Sequence, residues 1–399
     1  MTVVNTNRHG ERVGAIRQEN ETQCALWLRD HGRSSVATLT RATGLSRPTI
    51  EGALSRLVER GLVRASDEGS DTATGRPARA FDFVARAGFV AGIDIARNGV
   101  AVLVADAGGL IVAQRRTKGP LPTDSAARLK LVSRETALAV AEAGASMSRL
   151  VSAHVALTGW VGSDGKLRAS GAYRDWEGVD IAGHLTGMLG CEVHVDNDVN
   201  LAALAEHRIG AAQLITDILY LRIGEGISAA LIINGKLRRG SHDSAGALAA
   251  ASLPLPINPR GDLGWADEPS LRSVLDRAET GEAAAVRKRD ELVDGLADLV
   301  GMLAQVIDPD CVVLGFDAAG HGASLVALVR ERTVGRAWLL YEPTVIASHL
   351  GDDAVVLGAL TRAFETSSTS LYGLPEVTLP AVRFRQEPGP SATTTSTSP

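Results

Sequence analysis

The tripeptide Asp196-Asn197-Asp198 ends a β-like run (191–195) and opens an Ala/Leu-rich helix (199–208). A carboxylate at the mouth of a strand–helix turn stands where open α/β sheets place their ligands, and it is a natural general base. Three roles fit Asp198: proton acceptor, ligand contact without chemistry, or a charge that favours the helix N-terminus. Asp196 or Asn197 can cap that helix through a side-chain oxygen, with Asp198 complementing its positive end. A second set of chemistry-bearing residues lies near the N-terminus. Ser46, Arg47 and Thr49 open a helix, and Arg56 follows along it. Arginine forks onto guanine, while Ser and Thr hydroxyls serve phosphates or bases. Arg76, in Thr-Gly-Arg-Pro-Ala-Arg (74–79), rides on a thin extended backbone that suits a narrow minor groove; a plain linker turn is the alternative.

The elements that must position these residues follow from pattern. Residues 22–31 read as a helix ending near Gly32, and 34–42 as a second, capped by Ser34 or Ser35. A tight turn with Gly44 leads to a third helix, where Ser46 is the cap and Pro48 is tolerated in the first turn. Ile50, Leu54 and Leu57 give that helix one buried face. Gly61 stops it, and Leu62-Val63-Arg64-Ala65 begins a wing strand. Helix, Gly-containing turn, helix is the helix-turn-helix signature, whose second helix enters the major groove. A three-helix protein-interaction module would show the same pattern. After Arg86, two sets of β-rich runs alternate with helices, at about 124–145, 179–189, 268–280, 285–307 and 353–365. Strand meander followed by helix–strand–helix, given twice, predicts a two-lobed α/β body with a cleft.

Composition agrees with several domains. The chain has 399 residues, 45 % of them apolar, too many for one core and apolar enough for buried ones. Three scattered cysteines, Cys24, Cys191 and Cys311, argue against a disulfide framework and a Cys-based zinc site, and fit a reducing compartment. With no signal pattern and no run of 18 apolar residues, a cytoplasmic location is expected. The net charge of −5 is unevenly spread. Residues 1–86 hold 13 Arg, no Lys and 10 acidic residues, while the remainder holds 28 basic and 36 acidic. A basic module on an acidic body suits nucleic acid.

From about 20 to 365 the chain resembles the ROK family of repressors and sugar kinases, on the segments TGLSRPTIEGALSRLVERGLV, TGRPAR, GIDIARNGVAVLVAD, VDNDVNLAALAE, LIINGKLRRGS, DPDCVVLG and LGAL. The closer resemblance is to its repressor branch, a winged helix-turn-helix ahead of an actin/hexokinase-like body. The resemblance implies that fold and makes Asp198 the counterpart of the kinases' catalytic base. Several kinase elements are altered. Family kinases carry Asp-x-Gly-Gly-Thr after the first strand; here Asp94 is followed by Ile95-Ala96-Arg97-Asn98, and side chains fill space that backbone N–H groups would share with phosphate. Asp94 then reads as a strand-end cap. The second loop, Gly-Thr-Gly-Ile-Gly in kinases, is Gly224-Glu225-Gly226-Ile227-Ser228. Repulsion between Glu225 and a phosphate at ~4 Å is on the order of 4 kcal/mol at an effective dielectric of 20. Phe316 follows Gly315 where a Gly-Gly turn meets the base. On the sugar side, Ala247 and Ala250 replace a Glu and a His, and Ala172 replaces an Asn. The zinc-binding cysteines are absent, and His242 reads as a loop histidine.

The sequence therefore reads as a DNA-binding transcriptional regulator, a repressor. Its body is catalytically inactive, takes no cofactor or metal, and serves dimerisation and effector sensing. Expected partners are an inverted-repeat DNA operator and a second copy of the chain. Ser46, Arg47, Thr49, Arg56 and Arg76 are the expected DNA contacts, and Asn197 and Asp198 a residual ligand site. Two alternatives are a sugar-responsive repressor with an intact pocket and a sugar kinase carrying an extra domain. The expected boundaries are a flexible arm (1–15), a winged helix (16–86), a first lobe (87–205), a second lobe (206–350), a helix returning to the first lobe (351–366) and a disordered tail (367–399).

Overall fold

The computed structural model describes residues 6–67, 79–224, 226–248, 255, 268, 270–317, 320–334, 336, 340–374 and 377–384. Contacts divide the chain into two compact units: residues 1–88, 105–113 and 378–399, and residues 89–104 and 114–377. Among the described residues no helix is long and apolar enough to cross a membrane.

The smaller unit is a winged helix. It runs α1 (Thr6–His31), β1 (Ser34–Ser35), α2 (Val36–Thr43), α3 (Arg47–Glu59), β2 (Val63–Asp67) and β3 (Arg79–Phe83). The strands form one sheet in the order β1-β3-β2, all antiparallel. Leu28, Leu39, Ile50, Leu54 and Leu57 are 0–1 % exposed and form its core with Cys24, Val63 and Ala80. The periodicity of α3 thus points inward as its spacing predicts. One expectation is corrected. From Thr6 on, the arm expected to be flexible is the start of α1. Glu11, Arg12, Ala15, Arg17, Gln18 and Glu19 are good helix formers, and propensity carries the helix through a stretch that lacks apolar periodicity.

The larger unit holds two sheets. The first draws on β4 (Phe89–Ala96), β5 (Gly99–Asp106), β6 (Leu110–Arg116), α4 (Ser125–Glu142) and β7 (Leu150–Leu157). A small ribbon, β8 (Trp160–Val161) with β9 (Leu167–Ala169), precedes α5 (Ile181–Leu189), β10 (Glu192–Asn197) and α6 (Asp198–Ile209). Here β10, β7 and β4 are parallel neighbours, with β5 beside β4. The second sheet comprises β11 (Ile218–Ile223), β12 (Ile227–Ile233), β13 (Lys236–Leu237), β14 (Cys311–Phe316) and β15 (Val345–Ala347), in the order β13-β12-β11-β14-β15. One face packs on α7 (Leu271–Glu279), α8 (Ala283–Ile307) and α9 (Gly322–Thr333) through Leu219, Leu221, Leu296, Val300 and Leu314. The other packs on α6 and on α10 (Ala354–Thr366) through Tyr220, Ile232, Val313, Ala202 and Ala359.

Two glycines explain why α10 sits so close to its neighbours. A Cβ on Gly92 of β4 would collide with the α10 backbone at Val356 and Leu360, and one on Gly358 would collide with the Leu201 carbonyl of α6. With α6 and α10 shared between both sheets, the expected lobes (87–205 and 206–350) are not separate units: apart from residues 87–88 and 105–113 they fall within the larger one. The tail expectation is also corrected. After α10 come α11 (Ser368–Tyr372) and β16 (Arg383–Phe384), and β16 pairs with residues 110–111 of β6. Leu371, Tyr372, Leu374 and Val377 are buried; a few apolar residues suffice to dock the segment without any periodicity. The Thr/Ser-rich end from 385 lies outside the described residues.

Candidate functional site

On the winged helix, the local chemistry of α3 is a cap followed by two exposed charges. Ser46 caps it, accepting from the Thr49 N–H at 3.4 Å, and its hydroxyl lies 2.8 Å from that of Thr49. Gly44 ends α2 in a left-handed conformation, φ 72°, which the tight turn needs. Arg47 stands 76 % exposed and pairs with Glu51 one turn on, at 2.8 Å. Ser46, Arg47 and Thr49 are therefore together at one exposed helix end. Arg56 is not with them. Its guanidinium is bonded to Glu21 of α1, a carboxylate only 2 % exposed, which Arg60 also meets at 2.8 Å. A buried carboxylate claims the arginine that spacing alone assigned to DNA. Arg56→Ala should accordingly cost about 1–2 kcal/mol of stability, since Arg60 still covers Glu21, and weaken every DNA sequence alike. A base-specific loss in binding titrations with an unchanged melting temperature would contradict this. Arg76 lies outside the described residues.

The second site is a cleft of about 780 Å³ in the larger unit, lined by Arg97, Trp160, Ala172, Asn197, Asp198, Arg222 and Asp317 among others. Asn197 is the N-cap of α6. Its Oδ1 accepts from the Asn200 N–H at 3.0 Å, and its Nδ2 donates to the Gly159 carbonyl at 2.7 Å. Asp198, 4 % exposed, uses both oxygens twice. Oδ1 accepts from the Val199 N–H at 2.9 Å and from Asn197 Nδ2 at 3.1 Å. Oδ2 accepts from the Thr158 hydroxyl at 2.9 Å and from Arg222 Nη1 at 2.8 Å. A carboxylate has about four lone-pair sites, and all four are taken. Asp196, also offered as the cap, instead pairs both oxygens with Arg239.

Arg222 is the residue that sequence reasoning missed. It emerges from β11 and makes a fork onto Asp317, 2.9 Å from Nε and 3.2 Å from Nη2, while Nη1 holds Asp198. The signal was a lone cation in the apolar strand Ile-Leu-Tyr-Leu-Arg-Ile, just before the glycine loop. Burial works against the Arg222 charge, but Asp317, Asp198 and Asp94 hold its pKa well above the usual value. Burial pushes Asp198 up, against the pull of Arg222, Thr158 and Val199. Burial likewise pushes Asp94 up to about 7, with Arg222 opposing and Asp198 and Asp317 adding to the rise. Asp94 therefore belongs to a charged cluster, which is more than the strand-end cap expected of it.

The loops that correspond to the kinases' phosphate loops carry side chains at the cleft. Ala96 and Arg97 line the cleft where the kinase pattern has its two glycines, and the exposed Asn98 follows where it has the threonine. The Asp317 carboxylate lies so close to Gly224 that a Cβ there would collide with it. A phosphate approaching the 224–226 loop would meet that anion. Glu225 and Ala250, both named from the sequence, lie outside the described residues. On the sugar side, Ala172 and Ala247 line the cleft without a hydroxyl partner. The Ala172 loop is well anchored. The Tyr173 hydroxyl donates to the Ile95 carbonyl at 3.1 Å, and the Arg128 guanidinium stacks 4.5 Å from the Trp176 ring centre. His242 is exposed.

Two family models match the two parts of the chain. The MarR family model matches residues 18–72, and the ROK family model matches residues 90–249. The bifunctional enzyme NanE/NanK of Brucella melitensis is 31 % identical over 193 residues, which cover 44 % of this chain and 36 % of that protein. The match thus spans about a third of that relative's length. The xylose repressor of Caldicellulosiruptor bescii is 20 % identical over 380 residues, 86 % of this chain and 95 % of that one. A solved ROK family transcriptional regulator, a homolog of the E. coli MLC protein, superposes with a TM-score of 0.63 at 17 % identity, covering 90 % of this chain and 97 % of its own. At that identity the likeness is one of fold. The chain thus joins a MarR-type winged helix, over residues 18–72, to a ROK family domain, over residues 90–249, in a body with the ROK fold.

Proposed function

We propose that this protein is a transcriptional repressor that binds an inverted-repeat operator as a homodimer, and that its kinase-like cleft transfers no phosphate. The observation that carries the second half is the saturated Asp198 carboxylate. A general base must reach the proton it removes, and this one is held by Arg222, Thr158, Asn197 and the Val199 N–H. The DNA-binding half is supported by the exposed Arg47 on a Ser46-capped helix and by the match of 86 % of the chain to a xylose repressor. Purified protein supplied with ATP and glucose or N-acetylglucosamine should give no sugar-dependent ADP. Turnover above background that Asp198→Ala abolishes would establish a kinase instead.

A second reading, a repressor that responds to a sugar, is favoured by the xylose repressor's match along 86 % of the chain. The cleft has room for a monosaccharide, but Ala172 and Ala247 each remove a hydroxyl partner, at about 1 kcal/mol or more. Calorimetry should therefore find weak or no binding of xylose and glucose. Micromolar affinity for either would decide for the sensor.

A further inference from the structure

We propose that Glu51 sets base preference in the recognition helix α3, by accepting a hydrogen bond from the exocyclic amine of a cytosine beside the guanine read by Arg47. This rests on the DNA-binding reading above. The helix buries Ile50, Ala53, Leu54 and Leu57, which leaves Arg47, Glu51 and Ser55 exposed along its outer side. Arg47 and Glu51 are ion-paired at 2.8 Å with side chains 76 % and 51 % exposed.

Stability does not account for that pair. Exposed pairs contribute little, and the order Arg before Glu is the weaker orientation on a helix. The arginine also opposes the positive helix N-terminus. A carboxylate on a surface that meets phosphates is repelled by them unless a donor awaits it. In the major groove, cytosine presents an amine, whereas adenine sets the N7 acceptor beside its amine, against a second carboxylate oxygen. The ion pair aims the acceptor alongside the donor fork, matching a guanine and a cytosine read together.

The adjacent Gly52 supports this geometry. Glycine disfavours a helix interior about fivefold relative to alanine. Among the described residues nothing requires it here: a Cβ would meet only Arg56 Nη1, at 3.6 Å, an ordinary contact. Its bare backbone lets a groove edge come close to the turn that carries Glu51, whose short arm can then reach a base.

The test selects binding sites for the full-length protein from a random duplex pool and measures affinities by fluorescence anisotropy. The wild type should prefer cytosine at one position per half-site by about five- to a hundredfold. Glu51→Ala should lose that preference and bind random duplex more tightly, with a steeper salt dependence. Glu51→Gln should shift the preference towards adenine, which glutamine pairs with through N6 and N7. If both variants keep the wild-type preference, or weaken every sequence equally, the inference fails. If the wild type selects no sequence at all, the DNA-binding reading itself falls, and this inference with it.

Discussion

Arg222→Ala should destabilise the protein by about 3 kcal/mol at neutral pH, and the loss should shrink as the pH is lowered. Arg222 bonds Asp198 and Asp317 and lowers the pKa of Asp94. Removing one member of a buried ion pair strands the other charge, which costs about 3–5 kcal/mol; the side chain is 23 % exposed, so the lower end applies. The pH dependence follows from the direction of the shifts. Asp94 is raised from 3.8 to about 7, so the folded state holds its proton more tightly than the unfolded chain. Its contribution to stability is complete below 3.8 and is lost as the pH rises through about 7. Without the guanidinium, Asp94 and Asp198 rise further and the window extends upward. Thermal melts at pH 5 and pH 8 should show the larger loss at pH 8. In the wild type, Asp94→Asn should flatten the pH slope and gain on the order of 1 kcal/mol at pH 8, after allowance for solvent exposure. An Arg222→Ala protein that melts like the wild type, or loses equally at both pH values, would contradict the cluster's role.

Arg47→Ala should weaken operator binding by about 1–3 kcal/mol per half-site and relax preference at one base pair in each. The side chain is among the most exposed on α3, at the capped end that enters the groove first. One winged helix makes too few contacts for tight specific binding. Two half-sites one helical turn apart, about 34–36 Å, solve this, and the repeat then mirrors the two-fold axis of a dimer. Arg76→Ala should behave differently, weakening binding mainly where A/T-rich DNA flanks the half-site and narrows the minor groove. Mobility shifts on A/T- and G/C-flanked operators separate the two. A silent Arg47→Ala would mean that another helix reads the bases.

The winged helix was legible because its signals are local. Ser35, Gly44 and Ser46 specify caps and turn within a few residues, and Ile50, Leu54 and Leu57 specify one face. The cap of α6 was legible to within Asp196 or Asn197 for the same reason, and the structure assigns it to Asn197. What escaped were pairings between residues far apart in the chain. Arg56 finds Glu21 35 positions away, Asp198 finds Arg222 24 positions away, and Arg222 finds Asp317 95 positions away. No periodicity encodes such meetings; they exist only once α1 lies on α3, and once β11 runs between β12 and β14. The early start of α1 escaped for another reason: intrinsic propensity extends a helix where no buried face announces it. The docking of the segment after α10 rests on four apolar residues, Leu371, Tyr372, Leu374 and Val377, in a stretch otherwise rich in turn formers.

Sequence-specific DNA binding by this chain can be read by mapping the DNA it occupies across the genome of its own cells. The expected result is discrete sites that share an inverted repeat, with half-site centres about 10 base pairs or a small multiple apart, and loss of those sites with Arg47→Ala. Occupancy no greater than that of input DNA, or enrichment without a shared two-fold sequence, would contradict it.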